Sequence, residues 1–191
     1  MSRRLLVLDN YDSFTYNLVH LIREIGGLEL EVHRNDAITL AEVGRFSEIV
    51  LSPGPGVPQE AGIMPELVRQ YGETKRILGV CLGHQCIGEV FGGTLHNLSR
   101  PVHGVATDCS PCVANELMFC GLPETFSVGR YHSWVVAQEN FPDSLEVTAI
   151  DSVGEIMALR HRTLNVRGVQ FHPESVLTPD GRIMIQNWLN E

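Results

Sequence analysis

The chain is short of basic residues, of long apolar runs and of any export signal, and each shortage removes a class of function. Lysine and arginine number 14 against 23 acidic residues, a formal charge of −9 at pH 7. That balance opposes a general nucleic-acid surface, which needs cations to neutralise phosphates. No apolar run reaches the ~18 residues of a membrane span. The start, Met1-Ser2-Arg3-Arg4-Leu5-Leu6-Val7-Leu8, imitates a signal peptide, but Asp9 ends the apolar stretch too soon, so no export is expected. Five cysteines, an odd count, suit reduced thiols in the cytoplasm rather than a disulfide framework. Cys109-Ser110-Pro111-Cys112 is a lone C-x-x-C with only His103 or Cys120 near enough in sequence to complete a zinc site. A polar turn carrying two inert thiols is expected there, and no metal. The chain also lacks internal repeats and low-complexity linkers. Its 191 residues, 43% of them hydrophobic, suit one domain spanning 1–191.

What is present centres on Gly79-Val80-Cys81-Leu82-Gly83. Ile77 to Val80 reads as a short buried strand, and Gly83 to Phe91 has helical apolar spacing. The residue between them must turn sharply. In the G-x-S-x-G elbow of α/β-hydrolases, glycines at minus two and plus two relieve the crowding of that turn, and here cysteine takes the serine's place. Such a thiol is expected to point outward beside helix N–H groups, which favour its thiolate.

A cysteine nucleophile needs a base and a group that orients it. Gln170-Phe171-His172-Pro173-Glu174-Ser175 follows the apolar run that begins at Val166 and reads as a strand end. Residues two apart in extended chain share a side, and Pro173 restricts the backbone between them, so His172 and Glu174 are expected to meet. His84, His132 and His161 are weaker candidates for the base, because Glu174 accompanies His172. Ser52-Pro53-Gly54-Pro55-Gly56-Val57-Pro58 is a stiff loop after the strand ending at Leu51, and no G-K-[ST] follows it to suggest phosphate binding. It can hold a backbone N–H rigidly, so Gly54 and Leu82 are the candidate oxyanion donors.

A βα rhythm organises the rest. Leu5–Leu8 reads as a strand, Asp12 or Ser13 as the cap of a helix to about Ile25, and Gly26-Gly27 as its stop. Leu30–His33 is a strand, a polar stretch follows, and a helix is expected around Pro65–Tyr71. Phe126–Val128, Ser144–Ile150 and Glu155–Arg160 read as shorter strands, and a final helix runs from about Pro179 to Leu189. This predicts an α/β fold. Its parts are a mainly parallel twisted sheet with helices on both faces, a nucleophile elbow and a partly antiparallel strand extension.

Five ordered motifs carry a resemblance to a known family. They are Leu8-Asp9-Asn10-Tyr11-Asp12-Ser13-Phe14-Thr15-Tyr16-Asn17-Leu18, Leu51-Ser52-Pro53-Gly54-Pro55-Gly56, Gly79-Val80-Cys81-Leu82-Gly83-His84-Gln85, Gly129-Arg130-Tyr131-His132-Ser133 and Gln170 to Ser175. Nearly end to end, the chain resembles the class I, triad-type glutamine amidotransferases, and within them the small subunits of anthranilate and aminodeoxychorismate synthases. The resemblance implies that Cys81 attacks the side-chain amide of L-glutamine, His172 protonates the departing ammonia and Glu174 orients His172. It further implies that Gly54, Pro55, Gly56, Gln85 and the backbone of Ser133 and Trp134 hold the glutamine. Ammonia would pass to a large chorismate-binding synthase subunit. The present chain would need no cofactor, and the partner would use magnesium. By the same resemblance, the face carrying Asp9 to Leu18 lies near that partner.

Three positions depart from the family pattern: Trp134 where an aliphatic residue is usual, Cys86 in place of alanine, and Val105 after His103-Gly104 where a basic residue often follows. Trp134 would change the pocket wall, and Val105 would remove a partner contact. Cys86 is expected to pack rather than react. Two other readings use the same residues differently. A stand-alone Cys-His hydrolase or peptidase needs only the elbow, and a non-catalytic regulatory subunit needs none of the triad.

Overall fold

In a computed structural model describing residues 3–191, one nine-stranded sheet runs through the molecule in the order β2-β1-β3-β4-β9-β8-β7-β5-β6. Met1 and Ser2, which begin the signal-like stretch, lie outside the described residues. The first half of the chain alternates strand and helix: β1 (Arg4–Asp9), α1 (Thr15–Ile25), β2 (Glu29–Arg34), α2 (Leu40–Val43), β3 (Glu48–Leu51), α3 (Met64–Tyr71), β4 (Arg76–Val80) and α4 (Leu82–Val90). Then come β5 (Leu95–Pro111), β6 (Phe126–Val136), β7 (Leu145–Asp151), β8 (Ile156–His161), β9 (Val166–Val169) and α5 (Gly181–Asn190).

Strands β1, β2, β3, β4 and β9 are parallel, and their alternating side chains feed two cores. Leu5, Val7, Val50, Leu78 and Val80 pack with Val19 and Ile22 of α1 and with Ile185 and Trp188 of α5. Leu6, Leu8, Ile49, Leu51 and Ile77 pack on the other face with Val43, Leu67 and Ile87 of α2, α3 and α4. Strands buried on both faces read as unbroken apolar runs, which is why these were visible.

Several expectations need correction. The expected antiparallel extension is present from β5 to β8, but its strands are not all short: β5 and β6 run to 17 and 11 residues, β6 continuing from Phe126 to Val136. Most of β5 is exposed and polar, so it offers no apolar alternation, and register shifts interrupt its pairing with β6 near His103. Cys109 and Cys112 do not share a polar turn: Cys109 is buried in the core near the end of β5, whereas Cys112 is exposed just beyond it. Helix α1 begins at Thr15 with Phe14 as N-cap, not Asp12 or Ser13. Asp12 Oδ1 instead accepts the Phe14 N–H at 2.7 Å, turning the chain into the helix. Within the polar stretch, α2 carries a reciprocal capping box between Thr39 and Glu42. The string Thr39-Leu40-Ala41-Glu42 was the available signal for it.

Candidate active site

Cys81 closes β4 and caps α4 with φ of +52° and ψ of −98°, a conformation that a non-glycine residue rarely adopts. Its neighbours make the turn feasible. A Cβ on Gly79 would lie 2.4 Å from the Gly83 backbone, and one on Gly83 would lie 2.6 Å from Leu51. Both glycines therefore exist for close approach, as the elbow pattern requires. The Cys81 N–H is bound to the Val169 carbonyl at 2.8 Å, tying the turn to β9. Leu82 opens α4, where first-turn N–H groups have no intrahelical acceptor. The thiol does not point outward: Cys81 is 5% exposed and forms part of a pocket wall.

His172 Nδ1 donates to Glu174 Oε1 at 2.8 Å, with both side chains essentially buried. They meet in a turn rather than along extended chain, because Ser175 N–H bonds back to the His172 carbonyl at 3.2 Å. The main chain of this turn is clamped. Gly129 of β6 accepts the His172 N–H, and Thr178 Oγ1 bonds both the His172 carbonyl and the Gly129 N–H. With Nδ1 engaged, His172 Nε2 has no hydrogen-bond partner among the described residues. Burial lowers the affinity of the ring for a proton, but the adjacent Cys81 sulfur and the Glu174 carboxylate outweigh burial and lift His172 to about 10. The site therefore favours the protonated imidazole beside the sulfur. Sequence reasoning missed the walls of this base. Phe14 and Tyr131 pack against the His172 ring with centroids at 5.4 and 4.9 Å and against each other at 4.9 Å, and Tyr131 is in turn hydrogen-bonded to Ser175.

Gly54, Pro55, Gly56, Cys81, Gln85, Ser133 and Trp134 line one cavity of about 260 Å³, joined by Tyr131 and His132. Every candidate substrate-binding residue thus meets the candidate nucleophile, and Leu82 packs directly behind Gly54. A Cβ on Gly54 would lie 2.6 Å from Asn10 and 2.7 Å from Leu82, so the loop is seated hard against both. Buried Asn10 pins the loop from below. Its backbone N–H donates to Ser52 Oγ and its amide to the Ser52 carbonyl, both at 2.9 Å, while Asn35 donates to its Oδ1 at 3.0 Å. The Asp9–Leu18 motif therefore does more than end a strand and start a helix. It supplies Asn10 to the loop and Phe14 to the base.

The far wall is set by an unforeseen chain of polar groups. Asp151 pairs with Arg130 in the interior, and Arg130 Nε donates to His132 Nε2 at 3.1 Å. That leaves His132 Nδ1 as the protonated nitrogen, 3.0 Å from the Trp134 carbonyl. Burial first, and then the Arg130 charge, lower His132 to about 3, so it stays neutral. The Trp134 carbonyl also accepts from Gln85 Nε2 at 2.8 Å, so both its lone pairs are engaged. Gln85 Nε2 reaches Gln170 Oε1 at 3.3 Å, and Gln170 Nε2 lies 3.7 Å from Cys81 Sγ. Gln170 stands in the His172 motif, and its place there was the only sequence signal for it.

The remaining candidates fall outside the chemistry. His84 is fully buried beneath the elbow, where burial lowers it to about 4. His161 is packed on Phe91 at the distant end of β8. Burial raises the Cys86 and Cys109 thiols to about 12. Val105 is 45% exposed on β5.

Comparison with known proteins accords with this geometry. The family model for class-I glutamine amidotransferases matches residues 6–191. Anthranilate synthase component 2 of Pseudomonas putida is 47% identical over 195 residues, covering 98% of this chain and 96% of that one. Aminodeoxychorismate/anthranilate synthase component 2 of Bacillus subtilis is 45% identical over 187 residues, covering 97% and 95%. Among solved structures, a putative GMP synthase subunit from Thermoplasma acidophilum superposes with a TM-score of 0.87 at 27% identity, covering all of this chain and 94% of that one. The chain belongs to the class-I glutamine amidotransferases. Within that family its similarity runs to the component 2 subunits of anthranilate and aminodeoxychorismate synthases.

Proposed function

We propose that this chain hydrolyses L-glutamine to glutamate and ammonia through a thioester on Cys81, and delivers the ammonia to a chorismate-using synthase subunit. The observation carrying this reading is that Cys81 and the Gly54–Gly56 loop line one small cavity while the His172–Glu174 pair lies against the Cys81 sulfur. At about 260 Å³ it lies below the roughly 300–1,000 Å³ typical of sites for drug-sized ligands. That size suits one amino acid better than a peptide, which disfavours a general peptidase. The intact triad geometry disfavours a subunit that only regulates.

In this mechanism the Cys81 thiolate attacks the amide carbon, and the carbonyl electron pair moves to oxygen as an oxyanion that Leu82 and Gly54 N–H groups stabilise. The C–N bond then breaks while His172 gives its proton to the leaving nitrogen, which departs as ammonia. Water attacks the thioester with neutral His172 taking its proton. The C–S electron pair returns to sulfur, and glutamate leaves. Glu174 holds the imidazole in the tautomer that presents Nε2 to the reacting atoms. The steps use this chain's own groups, and magnesium would belong to the partner. The partner synthase would make anthranilate, aminodeoxychorismate or both, as the name of the Bacillus subtilis relative combines the two. A cytoplasmic setting accords with five free cysteines, and among the described residues no helix is long and apolar enough to cross a membrane.

Cys81→Ser tests the division of labour. In the assembled complex it should abolish glutamine-dependent synthesis while ammonia-dependent synthesis survives. Equal loss of both would reject the reading.

A further inference from the structure

We infer that Gln170 is a second catalytic group on the nucleophile: it supplies a hydrogen-bond donor to the Cys81 sulfur, aimed by a polar chain that begins at the Asp151–Arg130 ion pair. The inference rests on Cys81 being the nucleophile and adds a residue to that site.

An amide side chain can present either oxygen or NH₂ to a neighbour, so the question is what decides. Here the backbone does. The Trp134 carbonyl can only accept, so Gln85 must turn its NH₂ toward it. The other hydrogen of that NH₂ faces Gln170, which must therefore present Oε1 to Gln85. Gln170 Nε2 is left facing sulfur at 3.7 Å, as a donor. The carbonyl that starts this chain is itself held by the His132 Nδ1–H, whose tautomer Arg130 dictates. Gln170 has no freedom to turn away: it is fully buried, and its backbone N–H is bound to Met157 at 2.8 Å.

A donor at this place discriminates between states of the sulfur. A thiolate is a strong acceptor, whereas a neutral thiol or thioester sulfur is a weak one. The contact therefore strengthens when the thiolate is poised for attack, weakens in the thioester, and strengthens again as the C–S bond breaks and its electron pair returns to sulfur. Gln170 thus lowers the barrier to thioester breakdown as well as favouring the starting thiolate.

The experiment follows alkylation of Cys81 by iodoacetamide across pH, read on the Cys81 peptide by mass spectrometry so that exposed Cys112 and Cys120 do not interfere. Gln170→Leu deletes the donor. Gln170→Glu keeps the shape and still accepts from Gln85, but presents a carboxylate oxygen to the sulfur. Alkylation at neutral pH should be fastest in the native chain, about 10- to 100-fold slower in Gln170→Leu and slower still in Gln170→Glu, with each profile displaced to higher pH. Turnover of glutamine should fall in the same order with KM little changed. Circular dichroism and urea midpoints identify any variant that fails to fold, and the variant that folds decides. A purely packing role predicts the reverse order, with the isosteric Glu closer to native than Leu. That order, or an unshifted profile in either variant, overturns the inference. A native chain whose Cys81 resists alkylation would instead defeat the nucleophile assignment on which it stands.

Discussion

Two halves of one sheet contribute to this site by different physics. The parallel half buries Leu5, Leu6, Val7, Leu8, Ile49, Val50 and Leu78 completely, and it presents the site's sharpest backbone feature, Cys81, at the end of β4. The antiparallel half also has apolar contacts, but it buries charge. Arg130 pairs with Asp151, and Glu116 meets Arg160 of β8 at 3.0 Å and, across the boundary with the parallel half, Arg167 of β9 at 2.9 Å. One half places the candidate nucleophile through close packing of glycines, and the other orients the pocket wall through directed hydrogen bonds. Packing sets position, and hydrogen bonds set which atom faces the reaction.

The largest expected effect breaks the contact between the halves, since His172 follows β9 in the parallel half while its main chain is clamped to Gly129 of β6. His172→Ala removes proton transfer and should lower glutamine-dependent turnover by about 10²- to 10⁴-fold. Glu174→Ala should cost less, because the carboxylate orients and stabilises without moving the proton. The double variant should be scarcely worse than His172→Ala, as expected of groups that act as a unit. Steady-state glutaminase kinetics decide, and losses that multiply would count against a triad.

The same contrast explains what was legible in the sequence. Apolar runs and the spaced glycines of the elbow announce the parallel half, and the proline-glycine loop announces itself. The His172–Glu174 pair was legible because the two are neighbours in the chain, although the turn joining them was not. β5 escaped because a mostly solvent-facing strand has no alternation to read. The polar chain through Arg130, His132 and Gln85 escaped for another reason. Its members come from separated elements, and a residue's own sequence does not say which partner a buried amide will meet. Phe14 and Tyr131 likewise reach His172 only after α1 and β6 are assembled around it.

A middle-sized effect sharpens the comparison through stability. Leu78→Ala in β4 should cost about 2–5 kcal/mol by leaving a cavity in the apolar core. Asp151→Asn in β7 keeps the shape but leaves Arg130 buried without a counter-charge, at a cost of about 3–5 kcal/mol. Replacing both partners, as Arg130→Met with Asp151→Leu, should recover part of that loss, since the desolvation penalty disappears with the pair while the Val153 and Glu155 N–H groups and His132 Nε2 lose their partners. Urea unfolding midpoints make the measurement. A double replacement no more stable than Asp151→Asn would mean that this half depends on the net attraction of the pair.

The smallest effect is a pH dependence to which both halves contribute. His84 lies in α4 and His132 in β6, and burial lowers them to about 4 and about 3, whereas an unfolded imidazole titrates near 6.5. As pH falls below about 6.5, the unfolded chain takes up protons that the folded chain refuses, so both histidines make stability fall toward acid. Their contribution is complete above about 6.5, and its loss continues through about pH 4 for His84 and about pH 3 for His132. His172 has the opposite sign: its folded value is raised to about 10, so its contribution is full below about 6.5 and is lost as pH rises through 10. Carboxylates held low in the folded chain, such as Glu31 at about 2, begin to matter only below about 4.5. The interval from pH 6.5 to 5 therefore reports histidines. His84→Leu should flatten the decline of the urea midpoint across that interval, leaving the shallower slope that His132 and partly buried His161, also lowered by burial, still impose. A variant with the native slope would mean that His84 accepts a proton in the folded chain, and that the ground beneath the elbow is less apolar than its packing suggests.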